Sequence, residues 1–319
     1  MGKIKLALLS GGVSSEREVS LNSGNQVFDA LDKGKYDIVR YDPKTDLNKL
    51  VTDADNIDAA LIILHGPFGE DGTVQGLLDL LDIPYQGAGV LGSAAAMNKL
   101  TSKQLYENMQ IPTPSYLAFS MNDTIDISKV AGILGLPLVV KPACAGSSVG
   151  MTIVKEEVQL DDALILGFEH DDTVVIEKYI KGIELTCGVL GNDNLEALPV
   201  IEIIPGEGHE FFDYKAKYIA GETKEICPAR IDNDMTEKVQ KFAKKAHRAL
   251  FLKGYSRTDF ILDNNNDLQV LETNTIPGMT ATSLYPQSAE VAGYSFTKLL
   301  DKLIELSIQE HKKLKLRRL

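Results

Sequence analysis

The 319-residue chain has no tryptophan, three cysteines, five histidines and only 7% aromatic residues. Each scarcity excludes something. Cys144, Cys187 and Cys227 are odd in number and far apart, so they form neither a disulfide framework nor a CxxC metal pair. They read as buried fillers in a cytoplasmic protein. The histidines lack zinc-like spacing. No apolar run approaches a membrane span, and residues 1–10 read as a strand opening a domain, not as a signal peptide. A net charge of −12 disfavours a nucleic-acid partner. Against that charge, the basic stretch 311–319 reads as a frayed helix end. What remains, 44% hydrophobic and 24% charged, is ordinary globular composition with length for two or three domains.

Strands alternate with helices at the start of the chain. Residues 3–9, 36–41 and 59–64 read as strands, with a further short strand at 83–87 and helices between them. That order implies a parallel sheet with crossovers, whose ligands meet the loops after the strands. Glu16 and His65 both follow strands and can face one crevice. Ser15 and Glu18 have capping-box spacing, which gives Glu18 a structural role and leaves Glu16 unexplained. The glycine turn at 10–15 is not a dinucleotide fingerprint, because GxGxxG is absent. Ile111-Pro112-Thr113-Pro114 breaks a helix and marks a domain boundary.

Gly146-Ser147-Ser148-Val149-Gly150 follows a strand at 138–142. It matches the hydrolase nucleophile elbow in letters, but β-rich Thr152-Ile153-Val154 follows where a helix is required. A P-loop is excluded as well, since no Gly-Lys-Ser/Thr opens a helix. The remaining reading is a hairpin tip whose amides and hydroxyls lie over phosphates, with Lys141 as a point charge, or else a solvent-exposed hairpin. The strand–linker–strand segment 174–190 is a place for a planar ligand, with Glu184 available for ribose hydroxyls. Residues 211–218, rich in Tyr and Lys, read as a long loop and candidate lid.

Two strands close the sequence argument. Residues 255–262 and 268–271 are joined by Asp263-Asn264-Asn265-Asn266-Asp267. A four-residue loop from Asn264 pairs Asp263 with Leu268, Asp259 with Glu272 and Arg257 with Asn274. All four then share one face, and a one-residue slip would scatter them. Two carboxylates and an amide oxygen suit Mg²⁺ shared with substrate phosphates. A solvated hairpin is the plainer alternative.

Six segments in order carry a resemblance: 11–20, His65-Gly-Pro-Phe-Gly-Glu-Asp-Gly72, 146–150, Asp213-Tyr-Lys-Ala-Lys-Tyr218, 256–260 and Glu272-Thr-Asn-Thr-Ile-Pro-Gly-Met-Thr280. Together they resemble the D-alanine–D-alanine ligases of the ATP-grasp superfamily. The resemblance implies an α/β (α+β ATP-grasp) fold. An N-terminal parallel α/β domain (1–98) would precede two domains that clamp ATP, a central one (99–182) with the glycine loop and a C-terminal one (183–319) with the metal hairpin. It implies ATP-dependent joining of two D-alanines through an acyl phosphate for peptidoglycan synthesis, with two Mg²⁺ ions, Mn²⁺ as a substitute, and a cytoplasmic homodimer. A D-alanine–D-lactate ligase, another ATP-grasp ligase and a non-catalytic ATP-binding module are the alternatives.

The resemblance also assigns residues. Lys99, Lys141, Ser148 and Lys217 match phosphate-site positions, Glu177, Lys178 and Ile180 the adenine linker, and Glu184 the ribose acid. Asp259, Glu272 and Asn274 match metal ligands, and Asn274 also touches the nucleotide. Arg257 and Gly278 match oxyanion donors. Glu16 matches the acid holding the first ammonium, with Ser147 and Tyr218 as its hydrogen-bonding partners. Val19, His65, Lys217, Ser283 and Leu284 fall around the amino acids. Tyr218 goes with an amine nucleophile. Asn98, where Asp is usual, and Cys144-Ala145, where an Arg-Glu-like pair is frequent, depart from the pattern.

Overall fold

The computed structural model describes residues 2–146, 148–206 and 223–318. β1 (Ile4–Ser10), β2 (Tyr36–Tyr41) and β3 (Ala59–Ile63) form a parallel sheet in the order β2-β1-β3. Leu8, Leu61 and Ile62 are fully buried, so both faces of this sheet are covered, as parallel sheets require. The fourth strand expected at 83–87 shrinks to one bridge between Ala60 and Tyr85. The Gln86 side chain then replaces the backbone: its oxygen accepts from Ile62 N at 2.8 Å and its nitrogen donates to Ile62 O at 2.7 Å.

α1 (Arg17–Ala30), α2 (Leu47–Asp53), α3 (Thr73–Leu80), α4 (Val90–Met97) and α5 (Lys99–Asn108) follow the chain through and beyond this layer. The capping box does not form. Helix α1 starts at Arg17, its cap position is Glu16, and the Glu16 side chain makes no capping hydrogen bond. Instead the Glu16 amide donates to Ser14 Oγ. Asn98 separates α4 from α5 and caps α5 through Thr101 N at 2.8 Å.

A second, antiparallel sheet takes the order β4-β7-β5-β6, from β4 (Tyr116–Ser120), β5 (Leu138–Pro142), β6 (Thr152–Val154) and β7 (Thr173–Lys178). α6 (Ile127–Leu134) and α7 (Leu160–Phe168) cover it. Helix α6 is framed by an Asp126 cap and by Gly135 at φ +75°, a left-handed stop that glycine makes readily.

The third sheet runs β11-β10-β8-β12-β13, with β9 on β8. Its strands are β8 (Gly182–Leu190), β9 (Glu196–Ala197), β10 (Ile201–Pro205), β11 (Thr223–Ile226), β12 (Tyr255–Asp263) and β13 (Leu268–Asn274). The amphipathic α8 (Asn233–Ala249), capped by Asp232, packs Val239, Ala243 and Ala246 against it. Tyr106 of α5 enters the same core and donates to Thr273 at 2.8 Å. Residues 179–181 link β7 to β8. Gly182 enters β8 so close to β12 that a Cβ there would lie 2.1 Å from Leu262 O.

After α9 (Leu284–Val291), α10 (Phe296–Arg318) returns to the first layer, where Leu299, Leu300, Leu303 and Ile304 pack with Leu6, Leu8 and Leu61. The basic end is not frayed. It stays helical, with His311 and Lys315 on Asp82 and Lys313 on Asp193. Among the described residues no helix is long and apolar enough to cross a membrane.

Candidate active site

The β12–β13 hairpin carries the expected pairs Arg257–Asn274 and Asp259–Glu272, yet reaches them differently. The turn is one residue longer than expected, so Leu262, not Asp263, pairs with Leu268. Continued unbroken, that register would put Leu271 opposite Asp259 and send Glu272 to the far face. A bulge between Asp259 and Phe260 absorbs Leu271 and restores the pairing. Leu271 and Glu272, consecutive residues, accordingly line the same cavity as Asp259.

The Asp259 carboxylate takes four hydrogen bonds. Oδ1 accepts from Thr186 Oγ1 at 2.6 Å and Arg257 Nε at 2.9 Å; Oδ2 accepts from Arg257 NH2 at 2.9 Å and Asn274 Nδ2 at 3.0 Å. These fill the four lone-pair positions of a carboxylate. A cation at Asp259 would need one donor to withdraw, and Asn274 would supply its amide oxygen by turning its side chain. Among the described residues no group of three or more His, Cys, Asp or Glu could hold a metal. Two carboxylates and an amide still fit Mg²⁺, which completes its shell with water and phosphate oxygens.

Two cavities meet at this hairpin. The first, about 470 Å³, is lined by Glu16, Val19, His65, Arg257, Asn274, Gly278, Ser283 and Leu284. The second, about 480 Å³, is lined by Lys141, Ser148, Glu177, Lys178, Ile180, Glu184 and Asp259. Lys99, Ala145 and Glu272 line both. Sequence-predicted residues thus divide into two groups that touch at one carboxylate and one lysine. Ser147, Lys217 and Tyr218 lie outside the described residues.

In the first cavity, Glu16 is 7% exposed and packed between glycines: a Cβ at Gly66 would lie 3.0 Å from its Oε2 and one at Gly146 3.6 Å. The glycine loop thus reaches the first layer. His65 is buried, with Nδ1 3.7 Å from Glu70 Oε1 and, among the described residues, no hydrogen bond at Nε2. Burial opposes its protonation, but Glu70 and Glu16 raise its pKa above the ordinary value. Glu70, which sequence reasoning missed, also accepts from Gly66 N at 2.9 Å. The run 280–283 folds into a turn, with Thr280 N donating to Ser283 Oγ at 3.1 Å, ahead of the α9 N-terminus.

The second cavity has a buried charge stack at its base. Glu177, 2% exposed, pairs through Oε2 with Lys141 at 3.0 Å and through Oε1 with Lys103 at 3.3 Å. Burial alone would raise the Glu177 pKa, but the two lysines hold it below its ordinary range. Burial lowers the Lys103 pKa despite Glu177. Lys103 is 1% exposed and also donates to Thr113 Oγ1 at 2.7 Å. Sequence reasoning missed it; its signal was the i+4 spacing from Lys99 on one helix face. Lys99 Nζ donates to Ala145 O at 2.5 Å, and Ser148 has a left-handed φ of 60°.

The departures Asn98 and Cys144 touch, Asn98 Nδ2 lying 3.3 Å from Cys144 Sγ. Cys144 is exposed, contrary to the expectation of buried thiols; Cys187 is buried and Cys227 half-buried.

Comparisons with known proteins identify what the chain and its fold are similar to. Residues 105–305 match the family described as "D-ala D-ala ligase C-terminus", and residues 42–88 "D-ala D-ala ligase N-terminus". The chain is 60% identical over 308 residues to a D-alanine–D-alanine ligase of Syntrophobacter fumaroxidans, covering 97% of this chain and 99% of that one. A ligase of the same name from Desulfotalea psychrophila is 51% identical, with 97% of each covered. The Bacillus anthracis D-alanine–D-alanine ligase complexed with ATP superposes with a TM-score of 0.86 at 38% identity, covering 98% of this chain and 99% of that one. The VanG D-Ala:D-Ser ligase of Enterococcus faecalis scores 0.83 at 34%, covering 96% and 100%. The shared fold therefore extends to a ligase with a different named second substrate.

Proposed function

The chain belongs to the D-alanine–D-alanine ligase family, and from that premise we propose how its residues join two D-alanines at the expense of ATP. The observation that carries the reading is the meeting of two cavities at Lys99 and Glu272. One is shaped for a nucleotide by the 179–181 linker and the glycine loop. The other is lined by acids, an arginine and a helix N-terminus suited to amino acids.

The first D-alanine places its ammonium at Glu16. Its carboxylate attacks the γ-phosphorus of ATP in line, the bond to the bridging oxygen breaks, and ADP and an acyl phosphate result. Lys99 and Lys141 offset phosphate charge. Mg²⁺, held by Asp259, Glu272 and Asn274, supplies further charge neutralisation when bound. The second D-alanine enters as an ammonium, loses one proton to solvent, and its neutral amine then attacks the acyl carbon. Arg257 and the Gly278 amide stabilise the tetrahedral oxyanion, and phosphate leaves with the C–O bond electrons and takes up the proton that the nitrogen gives up. The carboxylate of the second D-alanine sits at the α9 N-terminus with Ser283 and Leu284. Ser147, Lys217 and Tyr218, which lie outside the described residues, keep the roles that the family resemblance implies for them.

The division into 1–98, 99–182 and 183–319 is part of this proposal. The protein works in the cytoplasm as a homodimer. Exposed Leu80, Val90 and Leu91 on neighbouring α3 and α4 support such an interface, and sedimentation tests it. Phosphate release with Mg-ATP and D-alanine, against L-alanine or added D-lactate, tests the reaction. D-alanine-dependent release with the dipeptide identified by mass is expected; no release with any amino acid, despite ATP binding, refutes it. Glu272→Gln should abolish ligation, whereas a pure binding module has no turnover to lose.

A further inference from the structure

We propose that Glu225 receives the ammonium of the second amino acid and thereby selects an amine over a hydroxyl nucleophile. The inference rests on the ligase reading and adds a residue that neither the spacing argument nor the resemblance assigned. Glu225 lies on β11, opposite Ile203, and lines the first cavity together with Arg257, Gly278 and Ser283. Gln287 of α9 fixes it: the same amide nitrogen donates to Glu225 Oε2 and, at 2.6 Å, to Thr282 O. The carboxylate is thereby tied to the turn that carries Ser283.

The other acids of this cavity have other positions. Glu16, Glu18 and Glu70 belong to the first layer, and Glu272 belongs to the metal hairpin. Arg257 and the α9 N-terminus serve negative charge. Among the described residues Glu225 is the acid on the β11–α9 side, where an incoming amino acid with its carboxylate at Ser283 must still place its ammonium. Burial raises the Glu225 pKa, against the opposing effects of Gln287 and Arg257, as expected of a carboxylate turned from bulk water. An ammonium offers three donors and a full charge, a hydroxyl one donor and none. The preference therefore follows from the acid itself.

The test is partition of the full-length enzyme between D-alanyl-D-alanine and D-alanyl-D-lactate in a mixture of D-alanine and D-lactate with Mg-ATP. Both products carry D-alanine at the first position, so their ratio cancels first-site effects. Glu225→Gln should shift the ratio toward the ester by about tenfold, a modest value for a charge-assisted hydrogen bond. Glu225→Asp should fall between, with the thermal midpoint and the ATP KM unchanged. An unchanged ratio overturns the proposal. Where the parent's ester is below detection, the second-site D-alanine KM replaces the ratio; it rises in Glu225→Gln, and an unchanged KM overturns the proposal. A parent that makes neither product overturns the ligase reading, and the proposal with it.

Discussion

Replacing Glu177 by Gln should destabilise the protein more than replacing Lys103 by Met, although both break the same buried ion pair. Glu177 is the one anion between two cations, 3.0 Å from Lys141 and 3.3 Å from Lys103. Removing it takes the paired carboxylate from both lysines, and orphaning a buried charge costs roughly 3–5 kcal/mol. The lower end applies here. Lys141 keeps 15% side-chain exposure and can turn toward the cavity, and Lys103, its pKa already lowered by burial, can shed its proton. Lys103→Met leaves Glu177 paired with Lys141 and replaces a desolvated ammonium with an apolar chain, so about 1 kcal/mol is expected. The double variant should recover about 1 kcal/mol relative to Glu177→Gln, because one orphaned cation is gone. Denaturant unfolding of the four proteins at neutral pH measures this. In Glu177→Gln the unfolded chain binds more protons than the folded one above the depressed lysine pKa, so stability should rise with pH there. Strict additivity, or a larger loss in Lys103→Met than in Glu177→Gln, refutes the reasoning.

Other positions give independent tests. Asn98→Asp keeps the α5 cap but removes the donor to Cys144 and adds charge beside Lys99; the ATP KM should rise several-fold. Adding Cys144→Arg should restore it, whereas additive effects would show that the Asn98–Cys144 contact carries nothing. Burial pushes the pKa of His247 down to about 3, with Ser256 Oγ 2.7 Å from its Nδ1. The unfolded state therefore binds the extra proton between about 3 and 6.5. Stability should decline on acidification below 6.5 by up to about 1.4 kcal/mol per pH unit, and His247→Gln should flatten that slope in acid titrations of the melting temperature. Gly182→Ala should destabilise by about 2 kcal/mol or more, since the added carbon meets the Leu262 carbonyl and one strand must move; a parental melting temperature would refute this.

The hairpin shows how legible the site was. Composition alone located its turn and both strands, and the pairing at Asp259–Glu272 came out right. The assumed loop was one residue too short, and a bulge not considered compensated for it. Bulges leave no periodic trace, because one extra residue in a seven-residue strand looks like ordinary irregularity. The glycine loop, the linker and Glu16 were readable because backbone chemistry or a motif demands those residue types. Lys103 and Glu225 were not, since surface lysines and strand glutamates are common and only tertiary placement distinguishes them. Ser15–Glu18 fitted a helix start in spacing, but the helix began at Arg17, with the Glu16 amide turned to Ser14 instead. The predicted fourth strand failed because Gln86 supplies from a side chain the pairing that a backbone was expected to make.

The returning helix α10 has a consequence for biosynthesis. β1 is made well before the α10 leucines beyond residue 296 that share one core with its sheet. Until α10 is made, Leu6, Leu8 and Leu61 have only part of their cover, Val27 and Leu31 of α1 among it, so this face is completed long after its strands. Chaperones that shield apolar surface would find their longest-lived target there, and a chain truncated before α10 would expose that face permanently.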